Sequence, residues 1–312
     1  MKPMLASDFD EKKLRFPLMA QPKIDGVRGL NLTGALTGRS LKAHANVYTT
    51  GFFSKDEYLG LDGEMAAGAI TDQELCRNTT SALNSIKGEP YVHWYAFDLL
   101  LPATLDMPYQ ARYTALQAHM DLMHSTGRCN RVTVVPSHHC RNLEDLLQLE
   151  SAWLDQGYEG AIIRDPMGAY KQGRSTVKEG GLLRIKRFME EDALVLSVVE
   201  GQVNGNEAKT NELGRTERSS HQENMTPNGM VGTLICRVLK DVPDARTGAI
   251  LLSAGQEITV SAGSMPHNDR VRFFEDPSLI LNKTVSFKFF PKGIKDKPRF
   301  PTYQSVRMES DK

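Results

Sequence analysis

The chain has 312 residues, 40% of them hydrophobic, which suits two modest domains, each with its own core, better than one large one. Lys and Arg together number 38, as do Asp and Glu, so the overall basic excess that marks many nucleic-acid proteins is missing. The four cysteines (Cys76, Cys129, Cys140, Cys236) form no C-x-x-C pair, "MKPMLASDFDEKK" carries no apolar leader, and no run of about 18 apolar residues occurs; these features exclude a disulfide framework and a membrane span and predict a soluble chain with reduced thiols.

Residues 16–65 read as short strands with turn signals, "NLTGALTGRS" carrying two Thr-Gly steps. Thr71 and Glu74 have capping-box spacing before a helix that ends near residue 86. Pro108 opens a second helix that Gly127 closes, and Asn142 caps a third, in which Leu143, Leu146, Leu147 and Leu154 keep the helical period until Gly157. Those leucines are core positions. Strands are expected at 91–100, 131–136, 160–164 and 182–188, so residues 1–188 read as an α+β domain of antiparallel sheets with flanking helices. "SHHC" at 137–140 lacks further ligands at metal spacing and reads as no metal site.

Beyond residue 188 helical periodicity almost vanishes. Five short apolar strands ("DALVLSVVEG", "VGTLICRVL", "QEITVSAG", "TVSFKFF" and a last one at Tyr303 to Arg307) predict an all-β barrel of the OB type over 189–312. Residues 203–230 are polar, rich in Asn and Glu, and read as a mobile inserted loop. Two basic stretches interrupt the neutral background: six cations against Glu179 between Tyr170 and Phe188, and seven against Asp296 between Lys283 and Arg307. They suit a polyanion in a groove; lysine-protected strand edges account for the second about as well.

"QPKIDGVRG" at 21–29 contains K-x-D-G-x-R. Two readings are open: a hairpin turn at Asp25-Gly26 among surface charges, or a nucleophilic Lys23 whose amine attacks an electrophilic phosphorus. In "YLGLDGEMAAG" the strand period places Asp62 and Glu64 on one face, Glu64 suiting a ribose hydroxyl or a metal. In "VHWYAFDLL" Tyr95, Phe97 and Leu99 share a face, as core or as a base-stacking surface. Glu159, at the mouth of the apolar strand in "YEGAIIRDP", suits a magnesium ligand, and in "GLLRIKRF" Arg184 and Lys186 share a face that suits a phosphate.

Taken in order, K-x-D-G-x-R, Arg39 in "TGRS", D-G-E at 62–64, F-D at 97–98, E-G at 159–160 and the basic pair at 184 and 186 resemble the motif set of the covalent nucleotidyltransferases, within them the minimal viral and phage type of ATP-dependent DNA ligase. The resemblance implies sealing of 3′-hydroxyl/5′-phosphate nicks in duplex DNA through lysyl-AMP and AMP-DNA intermediates. By it, Lys23 is the adenylated nucleophile, Arg28 and Arg39 contact ribose and the nick, Glu64 the AMP ribose, Phe97 the adenine and Gln21 the base edge. Glu159 assists metal binding, Lys186 holds the α-phosphate with Arg184 where the family usually has lysine, and Arg307, Asp311 and Lys312 orient pyrophosphate. The 203–230 insertion takes the place of a DNA-closing latch whose Lys209, Arg215 and Arg218 meet phosphates. The implied cofactors are ATP and Mg2+, with Mn2+ as a substitute; the partner is nicked duplex DNA, with no membrane and no obligate protein partner, and the chain is a monomer in the cytoplasm of a bacterial cell or phage-infected host. Its rivals are an RNA ligase, a GTP-using capping guanylyltransferase and a non-catalytic OB-fold nucleic-acid binder.

Overall fold

The structure, a computed structural model, describes residues 1–244, 248–291 and 298–307. The chain divides into two compact units, Met1–Lys186 and Arg187–Lys312.

The first unit holds two five-stranded sheets. Its strands are β1 (Met4–Leu5), β2 (Ser7–Asp8), β3 (Leu18–Pro22), β4 (Val27–Asn31), β5 (Leu36–Thr37), β6 (Leu61–Ala66), β7 (His93–Leu99), β8 (Val132–Val134), β9 (His138–Cys140), β10 (Ala161–Arg164), β11 (Gly173–Arg174) and β12 (Leu183–Ile185). One sheet runs β2-β12-β10-β3-β9 and the other β5-β4-β6-β7-β8, while β1 pairs only with β11. The neighbours β3 and β4 lie in different sheets, so Asp25-Gly26 is a crossover and not the hairpin its turn chemistry allows.

Helices α1 (Val47–Phe53), α2 (Leu75–Asn84), α3 (Tyr109–Ser125) and α4 (Leu143–Asp155) complete this unit. Leu146 and Trp153 of α4 join Leu18, Ile163 and Ile185 in the core of the first sheet. Tyr109, Leu116 and Met120 of α3 join Leu61, Met65 and Trp94 in the core of the second. The Asn142 side chain caps α4 by accepting from the Asp145 amide at 2.8 Å, and Pro108 sits at the N-cap of α3, as their spacing predicts. The capping box at Thr71 does not form. The Asp72 carboxylate accepts the Glu74 amide at 2.8 Å, an Asx turn two residues on that keeps the chain out of the helix until Leu75.

The second unit is a closed barrel, β13-β16-β19-β21-β20, made of β13 (Met189–Asn204), β16 (Met225–Val238), β19 (Glu257–Ser261), β20 (Thr284–Phe290) and β21 (Arg299–Val306). β19 and β21 close it in parallel through Ser261 and Thr302. This is the five-stranded barrel the apolar segments predict, filled by Val195, Leu234, Val260, Phe287 and Tyr303. A two-stranded ribbon, β17 (Val242–Pro243) with β18 (Ile250–Leu252), leaves it.

Two expectations are corrected here. Helix α5 (His267–Glu275) stands between β19 and β20, buries Phe273 and was hidden by its short, mostly polar sequence. Residues 203–230 form a β-ribbon and not an open loop. β13 and β16 stay paired out to Asn204 and Met225, and β14 (Ala208–Thr210) pairs with β15 (Thr216–Arg218) at the tip. The ordering groups are polar: Asn206 Nδ2 donates to the carbonyls of Ser219 and His221 at 2.9 and 2.8 Å, and Asn204 Nδ2 to Ser219 at 2.8 Å. Amide side chains thus satisfy the backbone where an apolar pattern would otherwise be needed.

Candidate active site

β3 ends at Pro22 and its ladder with β10 continues one step beyond the strands. The Lys23 amide donates to the Gly160 carbonyl at 2.9 Å, and the Glu159 amide to the Lys23 carbonyl at 3.1 Å. This pair of hydrogen bonds locks Lys23 beside Glu159, though 136 residues separate them. Gly160 makes the close passage possible: its φ is +152°, and a Cβ there would run into the Ile185 carbonyl.

Glu159 is almost entirely buried and lies between two ammonium groups, one carboxylate oxygen bound to Lys23 Nζ and the other to Lys186 Nζ. Burial alone would raise this carboxyl, but the two lysines overcome it and hold it down at about 2. Lys186 follows β12, whose Leu183 and Ile185 enter the core while Arg184 faces out to the Asp8 carboxylate at 2.6 Å.

The second sheet supplies the facing side. Arg28 and Glu64 are cross-strand neighbours in β4 and β6. Arg28 grips the fully buried Asp62 with two donors, Nε to Oδ1 at 2.5 Å and Nη2 to Oδ2 at 2.6 Å, and its guanidinium lies 4.7 Å from the centre of the Phe97 ring. Burial pushes the Glu64 carboxyl up to about 7 against the fields of Lys23 and Arg28. Gly26 lets the crossover approach this sheet, since a Cβ there would meet the Met65 carbonyl and the Glu64 side chain. Lys23, Glu159 and Lys186 from one sheet and Arg28, Glu64 and Phe97 from the other therefore surround one site.

Phe97 does not share a face with Leu99. The β6–β7 register shifts between Asp62 and Gly63, a bulge that leaves Phe97 with Ile24, Tyr95 and Val135 while Leu99 joins the core under α3. Gln21 is buried and donates to the Val135 carbonyl at 3.1 Å. Arg39 is exposed in the turn after β5. In the other unit Arg307 binds Asp192 at 2.9 Å, Lys209 lies 3.6 Å from Glu207, Arg215 is exposed at the ribbon tip and Arg218 Nη1 binds the Asn206 carbonyl. Asp311 and Lys312 lie outside the described residues, as do Lys292, Lys295 and Lys297 of the second basic stretch.

Sequence reasoning missed the cluster behind the site. Asp98, fully buried, accepts from Arg112 at 2.8 and 3.1 Å and from Arg164 at 3.1 Å, tying β7, α3 and β10 together. The signal was an acid and an arginine inside apolar strands, "AFDLL" and "AIIRD", each of which demands a partner. Among the described residues no group of three or more His, Cys, Asp or Glu side chains could hold a metal ion. Glu64 and Glu159 offer hard oxygen donors, which fit a magnesium ion carried mostly by water and phosphate. Also among the described residues, no helix is long and apolar enough to cross a membrane.

A family model described as an ATP-dependent DNA ligase domain matches residues 3–186. The DNA ligase of African swine fever virus (strain Badajoz 1971 Vero-adapted) is 23% identical over 111 residues, 36% of this chain and only 26% of that relative's length. The crystal structure of Chlorella virus DNA ligase-adenylate aligns with TM-score 0.53 and 25% identity over 99% of this chain and 98% of that one. A structure of a Lig E DNA ligase aligns with TM-score 0.69 and 19% identity over 98% and 99% of the two chains, a likeness of fold.

Proposed function

The chain belongs to the ATP-dependent DNA ligase domain family, and on that premise we propose that it is a DNA ligase that uses ATP to seal 3′-hydroxyl/5′-phosphate nicks in duplex DNA. The observation that carries this reading is Glu159 between Lys23 and Lys186: a lysine amine held in place by a buried carboxylate, with a second cation beside it for the phosphate.

In the first step the deprotonated Lys23 Nζ attacks the α-phosphorus of ATP. A P–N bond forms, the P–O bond to pyrophosphate breaks, and the amine proton passes to solvent. Lys186 draws the α-phosphate oxygens, with the Asp8-paired Arg184 as the second cation of the pair, Glu64 accepts from the ribose with Arg28 beside it, and Phe97 stacks on adenine, with Gln21 at the base edge. AMP then moves to the 5′-phosphate of the nick, and the 3′-hydroxyl displaces it, with Arg28 and Arg39 at the nick. Glu64 and Glu159 would hold Mg2+, or Mn2+ in its place, and such an ion supplies charge compensation at the phosphate.

Residues 1–188 serve as the adenylation domain and 189–312 as an OB-fold domain that meets duplex phosphates, with Lys209, Arg215 and Arg218 of the ribbon among the contacts. The protein acts as a monomer. ATP labelled on the α-phosphate should label the protein, and a chase with nicked duplex DNA should release the label and give sealed product. Labelling by GTP alone, or a chase by nicked RNA alone, would replace this reading with a capping or RNA-ligase one.

A further inference from the structure

We propose that Tyr170 is a positioning residue for Arg28, its hydroxyl orienting Asp62 and through it the guanidinium; this deepens the function proposed above and rests on it. Both oxygens of Asp62 are taken by Arg28, at 2.5 and 2.6 Å, and the side chain is fully buried. Among the described residues, the Tyr170 hydroxyl also meets this carboxylate, 3.5 Å from Oδ2. That hydroxyl accepts the Met4 amide at 2.8 Å, which uses a lone pair on the phenol oxygen and leaves its single proton to be aimed at Asp62. Met4 returns the contact, its carbonyl accepting from Arg28 Nη2 at 3.4 Å. Burial raises the Tyr170 phenol well above its ordinary range, so the hydroxyl stays a donor.

The brace joins four separate pieces of chain. Met4 lies in β1, Arg28 in β4, Asp62 in β6 and Tyr170 in the segment between β10 and β11. Beside Met4 the Pro3 and Leu5 carbonyls accept from the Gly173 and Ser175 amides, while the Met4 amide donates to Tyr170. Tyr170 has its own fixed seat, with the Arg112 guanidinium 5.6 Å from its ring and Arg112 gripped in turn by Asp98. Arg28 also lies over Phe97 at 4.7 Å, so a shifted guanidinium disturbs that ring as well. Tyr170 therefore acts on the nucleotide site through Arg28.

The test is Tyr170→Phe, which keeps the ring under Arg112 and removes the hydroxyl. Lysyl-AMP formation from α-labelled ATP is measured in wild type, Y170F, R28K and the double variant, where R28K keeps a charge but loses the two-pronged grip. KM for ATP in Y170F should rise about five- to twentyfold with kcat changed less than about threefold, and Y170F should add nothing in the R28K background. An unchanged KM, or the same fold-loss in both backgrounds, overturns the assignment. So does loss of cooperative thermal unfolding in Y170F, which would make the hydroxyl a folding group. Wild-type protein that takes no label overturns the proposed function, and this role with it.

Discussion

Asp98 and Asp192 each hold an arginine, one in each compact unit, and the two pairs sit in different media. Asp98 has 0% of its side chain exposed and Arg112 has 1%, whereas Asp192 and Arg307 keep 38% and 35% in water. The contrast extends outward. The first unit also buries Asp62 and Glu159 with their cations, whereas the barrel interior is filled by Val195, Leu234 and Phe287. Taking an ion out of water costs several kcal/mol, and its partner recovers only part of that. The first unit bears this cost around the proposed active site, where the charges are held dry and oriented. The barrel closes on apolar side chains, and its ion pairs contribute little to the fold.

Four changes probe that contrast, beginning with the largest effect. Lys23→Ala should lower labelling by α-labelled ATP at least about a thousandfold, while Lys186 still offsets Glu159 and the unfolding midpoint moves little. A variant that still labels at the wild-type rate would remove Lys23 from the chemistry. Asp98→Ala should cost about 3–5 kcal/mol in urea unfolding, because it leaves Arg112 and Arg164 buried without their carboxylate. A loss under about 1 kcal/mol would mean that water enters this cluster.

The third change separates burial from pairing through pH. The Glu64 carboxyl is pushed up from 4.5 to about 7, burial being the chief cause. A carboxyl with a raised folded pKa binds its proton more tightly in the native state, so its contribution is present below 4.5 and is lost as pH rises through 7. Glu64→Gln should therefore gain on wild type by on the order of 1–3 kcal/mol at pH 8 and by almost nothing at pH 4. Parallel stability profiles for the two proteins would show Glu64 to be solvated. The smallest effect is expected from Asp192→Ala, under about 1 kcal/mol in the same unfolding assay. A cost equal to that of Asp98→Ala would erase the distinction between the two units.

Much of the fold was legible because its signals are local. The Asn142 cap and Pro108 start helices within a turn of themselves, and Leu183, Arg184 and Ile185 alternate between core and surface as a strand must. The barrel strands showed themselves as apolar runs. Polarity hid α5, and the ribbon at 203–230 was missed because Asn204 and Asn206, not apolar residues, hold it. At the site, Lys23, Glu159 and Lys186 could be named singly, but their shared carboxylate depends on the β3–β10–β12 register.

The sequence by itself determined where the helices begin, which strand residues face a core, and that a lysine, an acidic pair and a basic pair recur in an order suited to nucleotidyl transfer. Tertiary structure alone decided that a bulge parts Phe97 from Leu99, that Asp98 takes Arg112 and Arg164, and that Tyr170 and Met4 stand behind Arg28. The physical reason is range. Periodicity and caps act over a few residues, whereas the groups around a buried charge come from segments 34 to 166 positions apart, as Arg28 with Asp62 and Met4 with Tyr170 illustrate.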